Sequence, residues 1–138
     1  MEGALFSSNL NNLDDFAFET RRVDKPWGHE LIWAHADDYV GKILFVKAGE
    51  SLSLQFHKVK DESWYVLEGR AELELGAAGQ TVLNTEVITS GNAFRFRPGT
   101  VHRVKALEDT RILEVSTPHL DDVVRLEDAY GRQGTSEA

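Results

Sequence analysis

The sequence predicts an all-β domain, either a sandwich or a barrel. From Val23 onward, short apolar or alternating runs are separated by Gly, Pro, Asn and Asp at intervals of roughly eight to twelve residues, the spacing of short strands joined by tight turns. The chain has 138 residues, which is the size of one domain with one hydrophobic core. We therefore expect a single β-domain.

Nine segments carry the strand pattern, because apolar or alternating residues run between turn residues in each of them. They are residues 30–34, 40–46, 51–57, 62–67, 71–75, 80–83, 93–97, 102–106 and 111–117. The connections contain glycines and the Pro98-Gly99 pair, which supply the backbone conformations that tight turns need. After Pro118 the sequence fits either a helix start or an edge strand, and the pattern does not decide between them.

The predicted organisation has three parts. Residues 1–22 form an N-terminal arm that is disordered or engaged in a dimer, residues 23–131 form the β-domain, and residues 132–138 form a flexible tail. The first residues lack the basic cluster and apolar run of a secretion signal, so we expect a cytoplasmic location.

Composition excludes several classes of function. There are no cysteines, so disulfides, thiolate nucleophiles and Cys-based zinc sites are excluded, and any metal must bind to nitrogen and oxygen. The net charge of −8 argues against a nucleic-acid partner, because that binding depends on basic surface. No stretch approaches the roughly 20 apolar residues that cross a bilayer, so no membrane partner is expected.

Four residues form a candidate metal site. Strand alternation in residues 51–57 places Gln55 and His57 on one face, and Glu62 returns beside His57 if the next strand pairs as a hairpin. His102 begins a strand directly after a turn and completes the set. An amide oxygen, two imidazoles and a carboxylate suit a divalent transition metal. These donor types do not determine whether the metal is Zn, Mn, Fe, Co or Ni.

The spacing of these residues resembles the two motifs of the cupin superfamily. The first motif, G(X)5HXH(X)3-4E(X)6G, matches without any insertion at Gly49, Gln55, His57, Glu62 and Gly69. The second, G(X)5PXG(X)2H(X)3N, matches at Gly91, Gly99 and His102, with Arg97 in place of proline and Ala106 in place of asparagine. The resemblance implies a single cupin barrel, a double-stranded β-helix or jelly roll. Similar Gln, His, Glu, His sets are associated with the zinc site of phosphomannose isomerases, which makes zinc the first expected metal.

Longer segments resemble the cupin domain of type II mannose-6-phosphate isomerases, which is often fused to a mannose-1-phosphate guanylyltransferase. The resemblance covers residues 24–132, and its matching stretches are residues 25–28 with Glu30, residues 49–55, Glu62 with Trp64, and residues 124–132. That family commonly has histidines near the positions of Val59 and Ser63, which this chain lacks. No Gly-rich nucleotide loop occurs in the sequence, so guanylyltransferase activity is not expected.

The resemblance implies a metal-dependent isomerase that interconverts an aldose 6-phosphate, such as mannose 6-phosphate, with its ketose. The metal would polarise the carbonyl and hydroxyl oxygens and stabilise the enediolate, while a base moves a proton between C1 and C2. The candidate catalytic residues are Lys58 and Lys60, which lie closest in sequence to the ligands. Other candidates for the base stay open, namely Lys42, Tyr65, Glu68 and Arg103.

Two residues are candidates for substrate binding. Trp64 shares a strand face with Glu62 and is therefore able to line the cavity, although large aromatics in small barrels are more often core. Arg95 binds a phosphate if the arginines of the Phe94–Arg97 segment face the cavity, whereas both arginines are solvated if the phenylalanines face it. We expect a sugar or a sugar phosphate as the ligand.

Two other functions stay open, and one expectation concerns assembly. The chain is alternatively another metal-dependent cupin enzyme such as a dioxygenase, or a noncatalytic cupin that binds a sugar or metabolite, since one fold hosts many functions. A homodimer is expected by analogy with small cupins. Leu52, Leu54 and Phe56, on the predicted outward face of their strand, would then be covered by the partner or by the N-terminal arm.

Overall fold

Two six-stranded antiparallel sheets face each other in a computed structural model that describes residues 13–77 and 82–135. Within those residues a 3-10 helix at Leu13–Asp15 precedes twelve strands, numbered β1 to β12 in chain order: Arg21–Lys25, Gly28–His35, Val40–Val46, Leu54–Phe56, Glu62–Glu68, Arg70–Ala77, Asn84–Thr89, Ala93–Phe96, Thr100–Ala106, Thr110–Ser116, Val124–Glu127 and Gly134–Thr135. One sheet has the order β1-β2-β3-β10-β5-β8 and the other β12-β11-β4-β9-β6-β7. The predicted all-β jelly roll is confirmed.

The core lies between the sheets and is built by strand alternation. On β5 the inward side chains are Glu62, Trp64 and Val66, and their neighbours on the strand are partly or fully exposed. Trp64 packs its edge against Phe96 of β8, with ring centroids 4.8 Å apart. Burying side chains of this size stabilises the fold by roughly 1.5–3 kcal/mol each. Packing in the core therefore holds β5, the strand that carries Glu62, in a defined position.

Edge strands account for the differences between the predicted and observed strands. β7 lies at Asn84–Thr89 instead of residues 80–83, of which 80 and 81 lie outside the described residues. Ile88 is the one side chain of β7 that is buried, so the strand shows little apolar alternation. β1 is polar for the same reason. The open question after Pro118 is resolved as a strand, because β11 pairs with β4.

The ends of the chain are described only in part. Residues 1–12 of the predicted arm and 136–138 of the predicted tail lie outside the described residues. β1 begins inside the predicted arm, and β12, inside the predicted tail, pairs with β11. In the described part of the chain, no helix has the length and apolar character needed to cross a membrane.

The segment before the first histidine is less regular than its sequence predicts. Only Leu54–Phe56 is a strand, and both Leu52 and Ser53 line the inner cavity. Leu52 belongs to the hydrophobic core, so its predicted outward position is wrong. The reason is the isolated bridge at Ser51, after which the chain leaves the ladder for two residues and strict alternation no longer applies.

One motif glycine has a direct structural reason. Gly69 joins β5 to β6 with a φ of +99°, a backbone conformation that residues with a side chain rarely adopt. A Cβ atom at this position would lie 2.5 Å from the carbonyl oxygen of Asp109. The connection therefore requires glycine, which explains this position of the first motif.

Candidate metal centre

Three buried side chains converge between the sheets. Among the described residues, His57, Glu62 and His102 form a group whose potential ligand atoms all lie within 4.8 Å of one another. His57 directly follows β4 and is 4% exposed, Glu62 is the first residue of β5 and is 2% exposed, and His102 lies on β9 and is 0% exposed. His57 Nε2 is 2.5 Å and His102 Nε2 is 3.8 Å from Glu62 Oε2. The fold thus brings these three predicted ligands together.

The backbone determines which nitrogen of each imidazole faces the group. His57 Nδ1 lies 2.5 Å from the carbonyl oxygen of Asp122, and His102 Nδ1 lies 3.0 Å from that of Thr100. A carbonyl oxygen only accepts, so each Nδ1 carries a proton and donates it. In the neutral rings the lone pairs of both Nε2 atoms therefore face Glu62.

The three inward atoms fit a metal ion. His57 Nε2, His102 Nε2 and Glu62 Oε2 have no hydrogen-bond partner within the described residues, although all three are buried. Unsatisfied buried acceptors are costly, and a cation among them satisfies all three at once.

Electrostatics favours the protonation states that metal ligands require. The pKa of Glu62 lies well below its usual range, because the Lys60 ammonium and the two histidines outweigh the burial that acts to raise it. Burial lowers the pKa of His102, against the attraction of Glu62. An ionised carboxylate and a neutral imidazole are the forms that bind metal.

Gln55 stands beside this group. It lies directly opposite His102 in the register of β4 and β9, and its side chain lines the same cavity as His57 and Glu62. Its amide oxygen accepts a hydrogen bond from the Ser53 hydroxyl at 2.9 Å, which orients the side chain. The predicted fourth donor is therefore adjacent to the other three.

Trp64 orients the carboxylate of Glu62. Its indole N–H donates to Glu62 Oε1 at 2.8 Å and lies 3.1 Å from Glu114 Oε1. The ring itself is buried in the core, although part of it lines the cavity. Contacts of this kind fix the direction of a ligand and raise metal affinity.

Of the two candidate catalytic lysines, only one faces the cavity. Lys60 is buried, with its ammonium 3.3 Å from Glu114 Oε2 and 3.8 Å from Glu62 Oε2. Burial acts to lower the pKa of Lys60, but the two carboxylates outweigh it and raise the pKa above its usual value. Lys58 is exposed and does not line this cavity.

Arg95 lies on the outer face of the barrel. Alternation on β8 turns Phe96 inward and Arg95 outward, where the guanidinium contacts Asp61 at 3.1 and 2.6 Å. It lines an open groove with Phe94 and Tyr65 instead of the cavity at the candidate ligands. Of the two arrangements that the sequence left open, the structure has the one with Phe96 inside.

Asp122, which holds the loop that carries His57, was not predictable from any local sequence signal. Its carboxylate accepts hydrogen bonds from the backbone N–H groups of Lys58, Val59 and Lys60 at 3.1, 2.7 and 2.8 Å, while its own carbonyl accepts from His57. The pKa of Asp122 is lowered, because these backbone donors outweigh the burial that acts to raise it. The contact bridges 62 to 65 residues of sequence, beyond the reach of a local motif.

Asp122→Ala is expected to weaken metal affinity about 10- to 100-fold, the usual effect of removing a contact that orients a ligand. The loop of residues 58–60 loses its acceptor, so His57 is no longer fixed. Competition with a chromogenic chelator measures the change. The neighbouring exposed Asp121→Ala serves as the matched control, and an equal affinity of both variants would contradict this role.

The cavity beside the metal group carries many charges. Lys25 and Lys42 share the carboxylate of Glu30, at 3.3 and 2.5 Å. The other charged side chains that line the cavity are Lys60, Glu62, Glu114, Arg125 and Arg132. The free volume is about 40 Å³, room for an ion and a few waters. A larger ligand requires side chains at the open end to move outward.

Facing antiparallel sheets with a His, Glu, His group between them define the chain as a cupin. The chain belongs to the family described as mannose-6-phosphate isomerase C-terminal, whose model matches residues 12–128. Its β-fold is also similar to that of the capsular polysaccharide assembling protein CapF from Staphylococcus aureus, with a TM-score of 0.66, 16% identity, and coverage of 81% of this chain and 35% of CapF. At this identity the likeness concerns the fold alone.

Curated relatives are longer proteins. The xanthan biosynthesis protein XanB of Xanthomonas campestris (strain B100) is 36% identical over 118 residues, which are 81% of this chain and 24% of XanB. Mannose-1-phosphate guanylyltransferase 2 of Escherichia coli O157:H7 is 29% identical over 115 residues, 80% of this chain and 23% of that protein. The chain therefore spans about a quarter of the length of these relatives.

Proposed function

We propose that this cupin acts as a metal-dependent sugar-phosphate isomerase that interconverts mannose 6-phosphate and fructose 6-phosphate. The observation that carries the proposal is the convergence of three buried, unsatisfied ligand atoms beside a cavity that is lined by lysines, arginines and glutamates. The description of the matching family names mannose-6-phosphate isomerase. The relatives' names add mannose phosphates as the class of metabolite.

One divalent transition metal, with zinc as the first expectation, would be held by Gln55, His57, Glu62 and His102. When bound, such an ion supplies a Lewis acid for the carbonyl and hydroxyl oxygens of a sugar. The chain's own contribution is a preformed set of donors and the exclusion of bulk water, since all of them but Gln55 are buried.

Lys60 and Glu114 are the cavity residues to which we assign the two tasks beside the metal. Lys60 stays protonated and donates a hydrogen bond to a substrate oxygen, since its ammonium lies close to the ligand Glu62. Among the carboxylates that line the described cavity, Glu62 is a candidate ligand and Glu30 pairs with two lysines, which leaves Glu114 as the base. Glu114 takes the proton from C2 of the aldose and returns it to C1 of the enediolate, which gives the ketose. Lys58, Trp64 and Arg95 have no assigned part in this scheme, and their predicted roles stay predictions.

A second candidate function is a noncatalytic cupin that holds a metal and binds a sugar phosphate. The narrow cavity favours it, because a hexose phosphate does not fit without movement of the side chains at its open end. The chain also lacks the histidines of the isomerase family near Val59 and Ser63. A homodimer, a cytoplasmic location and the absence of nucleic-acid or membrane partners stay predictions.

NMR of mannose 6-phosphate in heavy water tests the isomerase. With metal-loaded protein we expect fructose 6-phosphate to form and deuterium to enter at C2 of the mannose 6-phosphate that is re-formed. We expect both signals to disappear in His57→Ala and His102→Ala. The exposed His119→Ala is the matched control, since its side chain lies outside the ligand group. Absence of both conversion and exchange with each of Zn, Mn, Co and Fe would favour the noncatalytic alternative.

A further inference from the structure

A row of inward positions crosses three strands, from the metal group to the other end of the cavity. Arg125 on β11 lies opposite Gln55 on β4, and Gln55 lies opposite His102 on β9. Neighbouring strands are about 4.8 Å apart, so the backbones of Arg125 and His102 are about 10 Å apart. Arg125 is 6% exposed and lines the same cavity as Gln55. The cavity thus has a metal end and an arginine end.

Positive charge exceeds negative charge at the arginine end. Lys25 and Lys42 share a single carboxylate, that of Glu30. Arg132 lines the cavity while its guanidinium contacts Asp128 at 2.9 and 3.0 Å. Over the whole cavity, the five cationic side chains of Lys25, Lys42, Lys60, Arg125 and Arg132 face the carboxylates of Glu30, Glu62 and Glu114, and Arg132 also pairs with Asp128. Five positive groups against four negative ones leave one positive charge in excess, and an anion that enters at the arginine end is attracted by it.

The titration behaviour of these groups agrees with this excess. Burial lowers the pKa of Lys25, and Lys42 and Arg125 lower it further, against the attraction of Glu30. The pKa of Arg125 is lowered first by burial and then by Arg132. Repulsion of this kind is relieved when an anion binds between the cations.

We propose that Arg125, Arg132 and Lys25 form a subsite for the phosphate group of a sugar phosphate. The guanidinium forks of two arginines match the oxygens of a phosphate monoester, and a lysine adds a point charge. The part of the inference that places the sugar's carbonyl at the metal end rests on the proposed function. A hexose 6-phosphate has its reacting carbons, C1 and C2, and its phosphate at opposite ends of the carbon chain. The carbons would lie at the metal end of the cavity and the phosphate at the arginine end.

Calorimetric titration of the metal-loaded protein with mannose 6-phosphate, mannose and inorganic phosphate tests the subsite without any need for turnover. We expect mannose 6-phosphate to bind at least 10-fold more tightly than mannose, and inorganic phosphate to compete with it. Arg125→Gln is expected to weaken mannose 6-phosphate about 10- to 100-fold, the loss typical of a hydrogen bond to a charged group, and to leave mannose unchanged. Arg125→Lys should recover part of the loss.

Arg70→Gln is the matched control, because Arg70 forms an exposed pair with Glu108 away from the cavity. Metal content and melting temperature verify that each variant is folded and loaded.

The inference is overturned if the wild type binds neither mannose 6-phosphate nor phosphate, or if Arg125→Gln binds mannose 6-phosphate as tightly as the wild type does. It is also overturned if Arg125→Gln loses affinity for mannose and for mannose 6-phosphate equally. A selective loss in a protein without isomerase activity would retain the subsite and reject the isomerase. Activity with an unchanged KM in Arg125→Gln would reject the subsite alone.

Discussion

Glu62→Gln is expected to abolish metal binding while leaving the metal-free protein at least as stable to heat as the wild type. The carboxylate is the one anion of the ligand group, and its Oε2 atom faces His57 Nε2 and His102 Nε2 without a hydrogen bond in the described structure. A glutamine amide supplies the N–H that these two acceptors lack. Lys60 keeps Glu114 as its partner.

Metal content by mass spectrometry and thermal unfolding with and without chelator measure both halves of this prediction. At a free metal concentration of 100 times its Kd, the wild type should gain about 2.7 kcal/mol, which raises the melting temperature by about 10 °C. Glu62→Gln should show no gain. The exposed Glu68→Gln, on the same strand, should behave as wild type. Stoichiometric metal in Glu62→Gln, or a metal-free variant that melts well below the metal-free wild type, would reject this assignment of the ligand group.

Glu30→Gln is expected to lower the free energy of unfolding by about 3–5 kcal/mol at neutral pH, the usual cost of removing one partner from a buried ion pair. The change leaves the buried ammonium group of Lys42 and the partly buried one of Lys25 without their shared counter-charge. Urea unfolding measures the loss. The matched control is the exposed Glu68–Arg111 pair, for which Glu68→Gln should cost less than about 1 kcal/mol. Adding Lys42→Met to Glu30→Gln should recover part of the loss, because it removes one unpaired charge.

The ion pairs of Glu30 with Lys25 and Lys42 also make the stability depend on pH. The pKa of Glu30 is below its usual 4.5, since the two lysines outweigh the burial that acts to raise it. A lowered folded-state pKa means that the stabilisation is complete above the unfolded-state value and is lost as pH falls through the folded-state value. The stability difference between wild type and Glu30→Gln should therefore shrink below about pH 4. A difference that stays constant down to pH 2 would show that the ion pair does not cause it.

Much of the site was predictable because its signal is local. The strand period places Gln55 and His57 on one face, and the gaps to Glu62 and His102 match a known spacing without insertion. Inner strands such as β5 and β10 also follow from their apolar alternation. Edge strands do not, because β1 and β7 bury few side chains and therefore need few apolar residues.

The all-β class, the four candidate ligands and the family resemblance were predictable from the sequence, since each depends on residue types at short, regular spacings. The charges that meet inside the barrel were not predictable, because they come from distant parts of the chain. Asp122 reaches the loop of His57 from the far end of the domain, Glu30 is shared by two lysines, and Arg125 lines the cavity while Arg95 does not. The physical reason is that a charged residue on a strand is compatible with either face, and long-range register between sheets selects the one that finds a partner.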